Sequence, residues 1–157
     1  MNWGKVAVIA LVASAVAAGA GVWYAQEYAY YDQLDPASVA LTAVVAGQPV
    51  RLAADDINAI DASSAPHRWR FCARLTGPVP AGAEPYSGAT PTYGPRWFDC
   101  FDADQIGADL QSGAATAYLS QSEIRLDVDR VIAVYPDGRA YGWHQMNDKT
   151  PARGVMD

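Results

Sequence analysis

The sequence predicts an α+β protein, in which an N-terminal transmembrane helix precedes a small, mainly antiparallel sheet domain with one or two short helices. Three observations predict it. Residues 6–25 read VAVIALVASAVAAGAGVWYA, without a single charge. After them, short apolar or alternating runs are separated by Pro, Gly and Asp turn signals. One stretch, Asp102 to Gly113, breaks that rhythm with the start and stop signals of a helix. Hydrophobic residues make up 51% of the chain, enough for a packed core, so disorder is not the default. Residues 1–34 are assigned to an anchor and aromatic stem, 35–148 to one domain and 149–157 to a tail.

The uncharged run is about 30 Å long at about 1.5 Å per residue, the thickness of a bilayer's hydrocarbon core. Trp3 stands at one end and Trp23-Tyr24 at the other, where amphipathic rings favour the head-group layer. Lys5 precedes the span, and Glu27, Asp32 and Asp35 follow it. That asymmetry predicts a single-pass protein of the inner membrane, with a cytoplasmic N-terminus and a periplasmic domain. A cleaved signal peptide is the rival, because Ala18-Gly19-Ala20 offers the small residues of a cleavage site. The long apolar run, and the aromatic band continuing through Tyr28, Tyr30 and Tyr31, favour an uncleaved anchor. Ala13, Ala17 and Gly21 recur every four residues, a spacing that lets a second helix approach closely. Tyr24, Tyr28 and Tyr31 share a helical stripe of the same kind.

In the outer domain, residues 38–45 and 49–52 flank Ala46-Gly47-Gln48 and read as a hairpin. Asp55 or Asp56 is placed as the cap of a short helical turn carrying Ile57 and Ile60. Residues 68–75 alternate: Arg68, Arg70, Cys72 and Arg74 point one way, Trp69, Phe71, Ala73 and Leu75 the other. This predicts a strand with one buried face. Residues 76–95 hold five of the ten prolines and four glycines, and read as a long irregular surface loop, where binding surfaces concentrate. Asp102 then caps a helix, with Gln105 at its third position, Ile106 and Leu110 as its apolar stripe and Gly113 as its stop. Finally, residues 130–135 and 139–144 flank Pro136-Asp137-Gly138, a type I turn closed by a left-handed glycine. That turn pairs Tyr135 with Arg139, Ala133 with Tyr141 and Val131 with Trp143.

All 17 acidic residues lie after position 26, against ten of the 11 Lys and Arg. Nucleic acid and docking on anionic lipid head groups both demand clustered cations, so this balance argues against either. Cys72 and Cys100 are the only cysteines, and both follow the span; an even number in an oxidising compartment predicts a disulfide. A metal site of His67, Cys72, Cys100 and His144 matches no known ligand spacing and is lost if the cysteines are bridged. There is no Gly-x-Ser-x-Gly and no phosphate-cradling glycine loop, so neither catalysis nor a cofactor is expected. Two surface features remain. Arg68, Arg70 and Arg74 on one strand face suggest an anion site, and Asp99, Asp102, Asp104 and Asp109 suggest a surface for a basic partner.

The run Trp97-Phe98-Asp99-Cys100-Phe101-Asp102-Ala103, then Ile106-Gly107-Ala108, then DRVIAVYPDGRAYGWHQ over 129–145, resembles an uncharacterised family of short single-pass membrane-anchored proteins from alphaproteobacteria. The resemblance covers nearly the whole chain and implies no activity. The expectation is therefore a non-catalytic accessory or assembly protein of an integral inner-membrane complex, respiratory or transport in kind. The alternative is a ligand-binding module built from the Pro/Gly-rich loop and the arginine strand.

Overall fold

A computed structural model describes residues 2–147 of the chain. Helix α1 (Trp3–Glu27) contains the whole uncharged run and buries none of its residues. It is long and apolar enough to cross a membrane. Helical geometry stops at Glu27, so Tyr31 is not on the stripe of Tyr24 and Tyr28. It opens strand β1 (Tyr31–Gln33) instead, inside the segment read as stem, and pairs with Ala62. The segment read as a tail, 149–157, lies outside the described residues.

A 3₁₀ turn (Pro36–Ser38) and strands β2 (Thr42–Val45) and β3 (Gln48–Arg51) follow. Strand geometry begins only at Thr42, later than the sequence suggested. The β2–β3 hairpin turns on Ala46 and Gly47, both at positive φ, which matches the right-handed twist of the flanking strands. Then come β4 (Ala54–Ala62), β5 (Arg70–Leu75), helix α2 (Ala103–Ser112), β6 (Thr116–Arg125), β7 (Val128–Val134) and β8 (Arg139–Met146). Six strands form one antiparallel sheet in the order β1-β4-β5-β8-β7-β6.

The helical turn expected at Asp55–Ile60 is part of β4. Ile57 and Ile60 are three apart, which fits one face of a helix but opposite faces of a strand. Ile57 packs on one side of the sheet and Ile60 on the other. Asp56 takes φ 53° where the ladder shifts register between Asp55 and Asn58, so the acidic pair marks a bulge rather than a cap.

Strand β5 alternates as expected, yet both of its faces are buried. Trp69, Phe71, Ala73 and Leu75 join a core with Leu41, Leu52 and Ile132, beneath the β2–β3 segment. Cys72 joins a second core with Phe98, Phe101, Ile106, Val131 and Trp143, beneath α2 and the chain leading into it. A face carrying arginines reads as solvated only until its covering segment is known. Gly142 is required by this sandwich: a Cβ there would lie 2.7 Å from the Trp69 ring.

Helix α2 follows its sequence grammar. Asp102 accepts the Gln105 N–H at 3.0 Å, Ile106 is buried, and Gly113 ends the helix in the left-handed conformation. The Gln105 side chain reaches forward to Asp109 instead of back to the cap. Hairpin β7–β8 has the expected register, with Val131 opposite Trp143 and Ala133 opposite Tyr141. The Tyr135 N–H donates to Arg139 O, and Gly138 closes the turn at φ 89°. Strand β6 was not foreseen. Its outer edge is covered by residues 84–86, through Tyr86 N–H to Ala117 O and Leu119 N–H to Glu84 O, and by Thr42 Oγ1 donating to Ser120 O. The Pro/Gly-rich segment is thus irregular but seated on the sheet.

Candidate functional site

The end of α1 is held by the domain. Glu27 Oε2 accepts the Arg96 N–H at 2.9 Å, and the Glu27 carbonyl accepts the Trp97 indole N–H. The indole donor thereby satisfies one of the last carbonyls that a helix leaves unpaired. Tyr31 and Trp97 meet edge to face, with ring centroids 5.9 Å apart. Residues 92–97 therefore form a collar around the point where α1 meets the sheet.

Arg70 seats that collar. Its guanidinium donates to four carbonyls: Thr92 (2.8 Å), Tyr93, His67 and Trp69 (2.6 Å each). It is 2% exposed, lies over the Phe101 ring, and burial holds its pKa down at about 10. At neutral pH it is a buried charge satisfied by backbone dipoles, with no ion pair to a carboxylate among the described residues. Every hydrogen bond it makes goes to the protein's own chain, so Arg70 is a structural latch.

Between collar and strand lies a cavity of about 410 Å³, whose walls include Gln26, Glu27, Tyr31, His67, Arg68 and Tyr93. Arg68 differs from Arg70 in one decisive respect. Its Nη1 is buried without a hydrogen-bond partner, the one such side-chain atom among the described residues. Its guanidinium lies over the Tyr31 ring, 5.3 Å from the centroid. Of the three arginines grouped by alternation, Arg68 and Arg70 come together here. Arg74 sits at the other end of β5, about 13 Å beyond Arg70 by strand rise, and donates to Asp137 O.

The acidic stretch is largely engaged by the protein itself. Asp102 caps α2, Asp104 accepts the Tyr93 hydroxyl at 2.6 Å, and Asp109 accepts the Tyr135 hydroxyl at 2.7 Å. The bond to Asp104 holds the Tyr93 phenol above its ordinary pKa, and burial together with the bond to Asp109 does the same for Tyr135. Asp99 is exposed. Cys72 and Cys100 form a disulfide with Cα atoms 6.3 Å apart, tying β5 to the chain just before α2. On α1, Ala13, Ala17 and Gly21 are exposed, and a Cβ added at Gly21 would meet nothing.

Two further buried polar groups, His144 and Asp129, take structural roles that the sequence reading did not assign. His144 donates from Nδ1 to Pro66 O at 2.8 Å, accepts from Arg130 Nε at 3.0 Å, and stacks on Trp69. Burial lowers its pKa to about 3, so the ring is neutral, with its proton on Nδ1. Asp129 is buried and accepts from the Glu123 N–H at 2.8 Å and from Asn147 Nδ2 at 3.2 Å, pinning the β6–β7 turn. The hairpin register could have signalled the first, because it places His144 opposite Arg130. Nothing local signals the second.

A larger groove of about 480 Å³ runs between residues 85–89 and the end of α2, and has no charged residue in its walls. Among the described residues no group of His, Cys, Asp and Glu is disposed to hold a metal ion. A family model described as a family of unknown function, DUF6446, matches residues 39–153. No curated protein and no solved structure matches the chain.

Proposed function

The chain belongs to the DUF6446 family, whose function is unknown, and on that premise we propose a non-catalytic accessory or assembly protein of an inner-membrane complex. In this reading α1 is an uncleaved single span with a cytoplasmic N-terminus, and residues from Tyr31 onward form a periplasmic domain. The observation that supports it best is α1 itself: 25 residues, none buried against the domain, joined to that domain by the Glu27 collar. So much unpartnered apolar surface needs a bilayer, neighbouring helices or both. The small residues of its stripe answer no packing need within the chain, since the space beside Gly21 is empty. Lys5 before the span, acids after it and the disulfide all favour an outside, oxidising location.

The test separates an anchor from a packing helix. Replacing Ala13, Ala17 and Gly21 together by leucine keeps insertion favourable but blocks close backbone approach. In mild detergent, this variant is expected to lose the membrane proteins that co-purify with the tagged native chain. Leucines at Ser14 and Ala18 are expected to retain them. A native chain that runs as a lone monomer in several mild detergents overturns the reading. The ligand-binding alternative is favoured by one specific observation, the cavity that joins Arg68 to the collar.

A further inference from the structure

We propose that the collar cavity binds the phosphate of one phospholipid headgroup, with the Arg68 guanidinium as its forked donor. The inference rests on the membrane-anchor reading for the level at which the cavity lies. Gln26 and Glu27, the last residues of α1, form part of its wall. An apolar span ending there brings the cavity to the head-group layer. The exposed rings of Trp23, Tyr24, Tyr28 and Tyr30 occupy the same level, where aromatic side chains settle beside lipid head groups.

The chemistry follows from the two arginines. Arg70 has committed four of its five N–H donors to carbonyls and contributes mainly its charge. Among the described residues, Arg68 Nη1 is buried with no hydrogen-bond partner and no carboxylate lies within ion-pair reach of Arg68. Leaving a buried charged donor unpaired is costly, and a planar fork of N–H groups matches two phosphate oxygens. The Glu27 carboxylate in the wall keeps its charge but is turned to the collar backbone rather than paired with Arg68. Glu27 accepts from Arg96 N–H through its carboxylate and from the Trp97 indole through its carbonyl. The acidic balance of the domain opposes spreading on an anionic surface. A single headgroup held by one guanidinium makes no such demand.

The experiment uses the full chain in a neutral maltoside detergent, with native mass spectrometry to count bound lipid. Added phosphatidylglycerol is expected to give a one-lipid adduct, and diacylglycerol, which lacks the phosphate, none. Arg68→Gln is expected to cut adduct occupancy at least tenfold, while Arg51→Gln, at an exposed position on β3, leaves it unchanged. Arg68→Lys keeps the charge without the fork and is expected to fall between; it decides the matter if the glutamine variant does not fold. Equal occupancy in native and Arg68-substituted chains overturns the proposal, as does an equal adduct with diacylglycerol. Inorganic phosphate that displaces the lipid at millimolar concentration overturns the lipid source and leaves a soluble anion in its place. Failure of the anchor reading shows separately, as a mature chain beginning near Gly21 that leaves the membrane fraction.

Discussion

The two faces of the six-stranded sheet are covered by different means. One lies beneath the segment that carries the β2–β3 hairpin, and its core of Leu41, Leu52, Phe71 and Ile132 is almost wholly apolar. The other is roofed by the Pro/Gly-rich chain and α2. There the apolar contacts of Phe98, Phe101 and Trp143 are supplemented by a disulfide and by two hydrogen bonds from one buried arginine to the roof's Thr92 and Tyr93 carbonyls. Regular elements satisfy their own backbone groups and bring only side chains to a core. An irregular roof brings unpaired carbonyls, and something must donate to them. Arg70 is that donor. The contrast also explains why the unpaired arginine lies at the rim of the roofed face, where the collar meets α1.

The comparison breaks most directly at Arg70. Arg70→Met preserves much of the side-chain volume but leaves the four carbonyls without their donor, a loss of about 4 kcal/mol at roughly 1 kcal/mol for each buried acceptor left unsatisfied. Urea unfolding of the detergent-solubilised full chain measures it. A loss under about 1 kcal/mol would mean the roof does not depend on its latch. Next is the disulfide. Replacing Cys72 and Cys100 together by serine removes a cross-link over 28 residues, which stabilises by about 3.5 kcal/mol in the chain-entropy model. Near-ultraviolet circular dichroism should then show the signals of the roof's aromatic rings weakening before the sheet unfolds. Simultaneous loss would show the two faces to be one cooperative unit.

The smallest effect sharpens the comparison from the hairpin-covered side, where His144 stacks on Trp69. Its folded pKa of about 3 lies below its ordinary value of 6.5. Below that ordinary value the unfolded chain binds a proton that the folded chain refuses, so the contribution is intact above it and declines as pH falls toward 3. By pH 5 the loss is about 2 kcal/mol, at roughly 1.4 kcal/mol per pH unit. A His144→Gln variant is expected to flatten the stability profile between pH 6.5 and pH 5. An unchanged slope would remove His144 as its cause.

Helices α1 and α2 and the β7–β8 hairpin were legible in the sequence because each is specified by residues close along the chain. A charge-free run sets the length of α1, Asp102 and Gly113 bracket α2, and Pro136-Asp137-Gly138 sets the hairpin register. The pairing of Cys72 with Cys100 was legible because no other cysteines compete. The remaining features depend on partners far away in the chain. Residues 54–62 are a strand because β1 and β5 pair with them on both sides, and those ladders outweigh the local preference of Asp and Ile three apart. Alternation grouped Arg68, Arg70 and Arg74, but β5 begins only at Arg70, and alternation could not show what covers the face. Only the path of residues 76–102 over that face makes Arg70 a latch, leaves Arg68 unpaired beside α1 and sends Arg74 to another turn. Burial and hydrogen bonding are properties of the neighbours that a fold assembles, and for this face those neighbours arrive from more than twenty residues away.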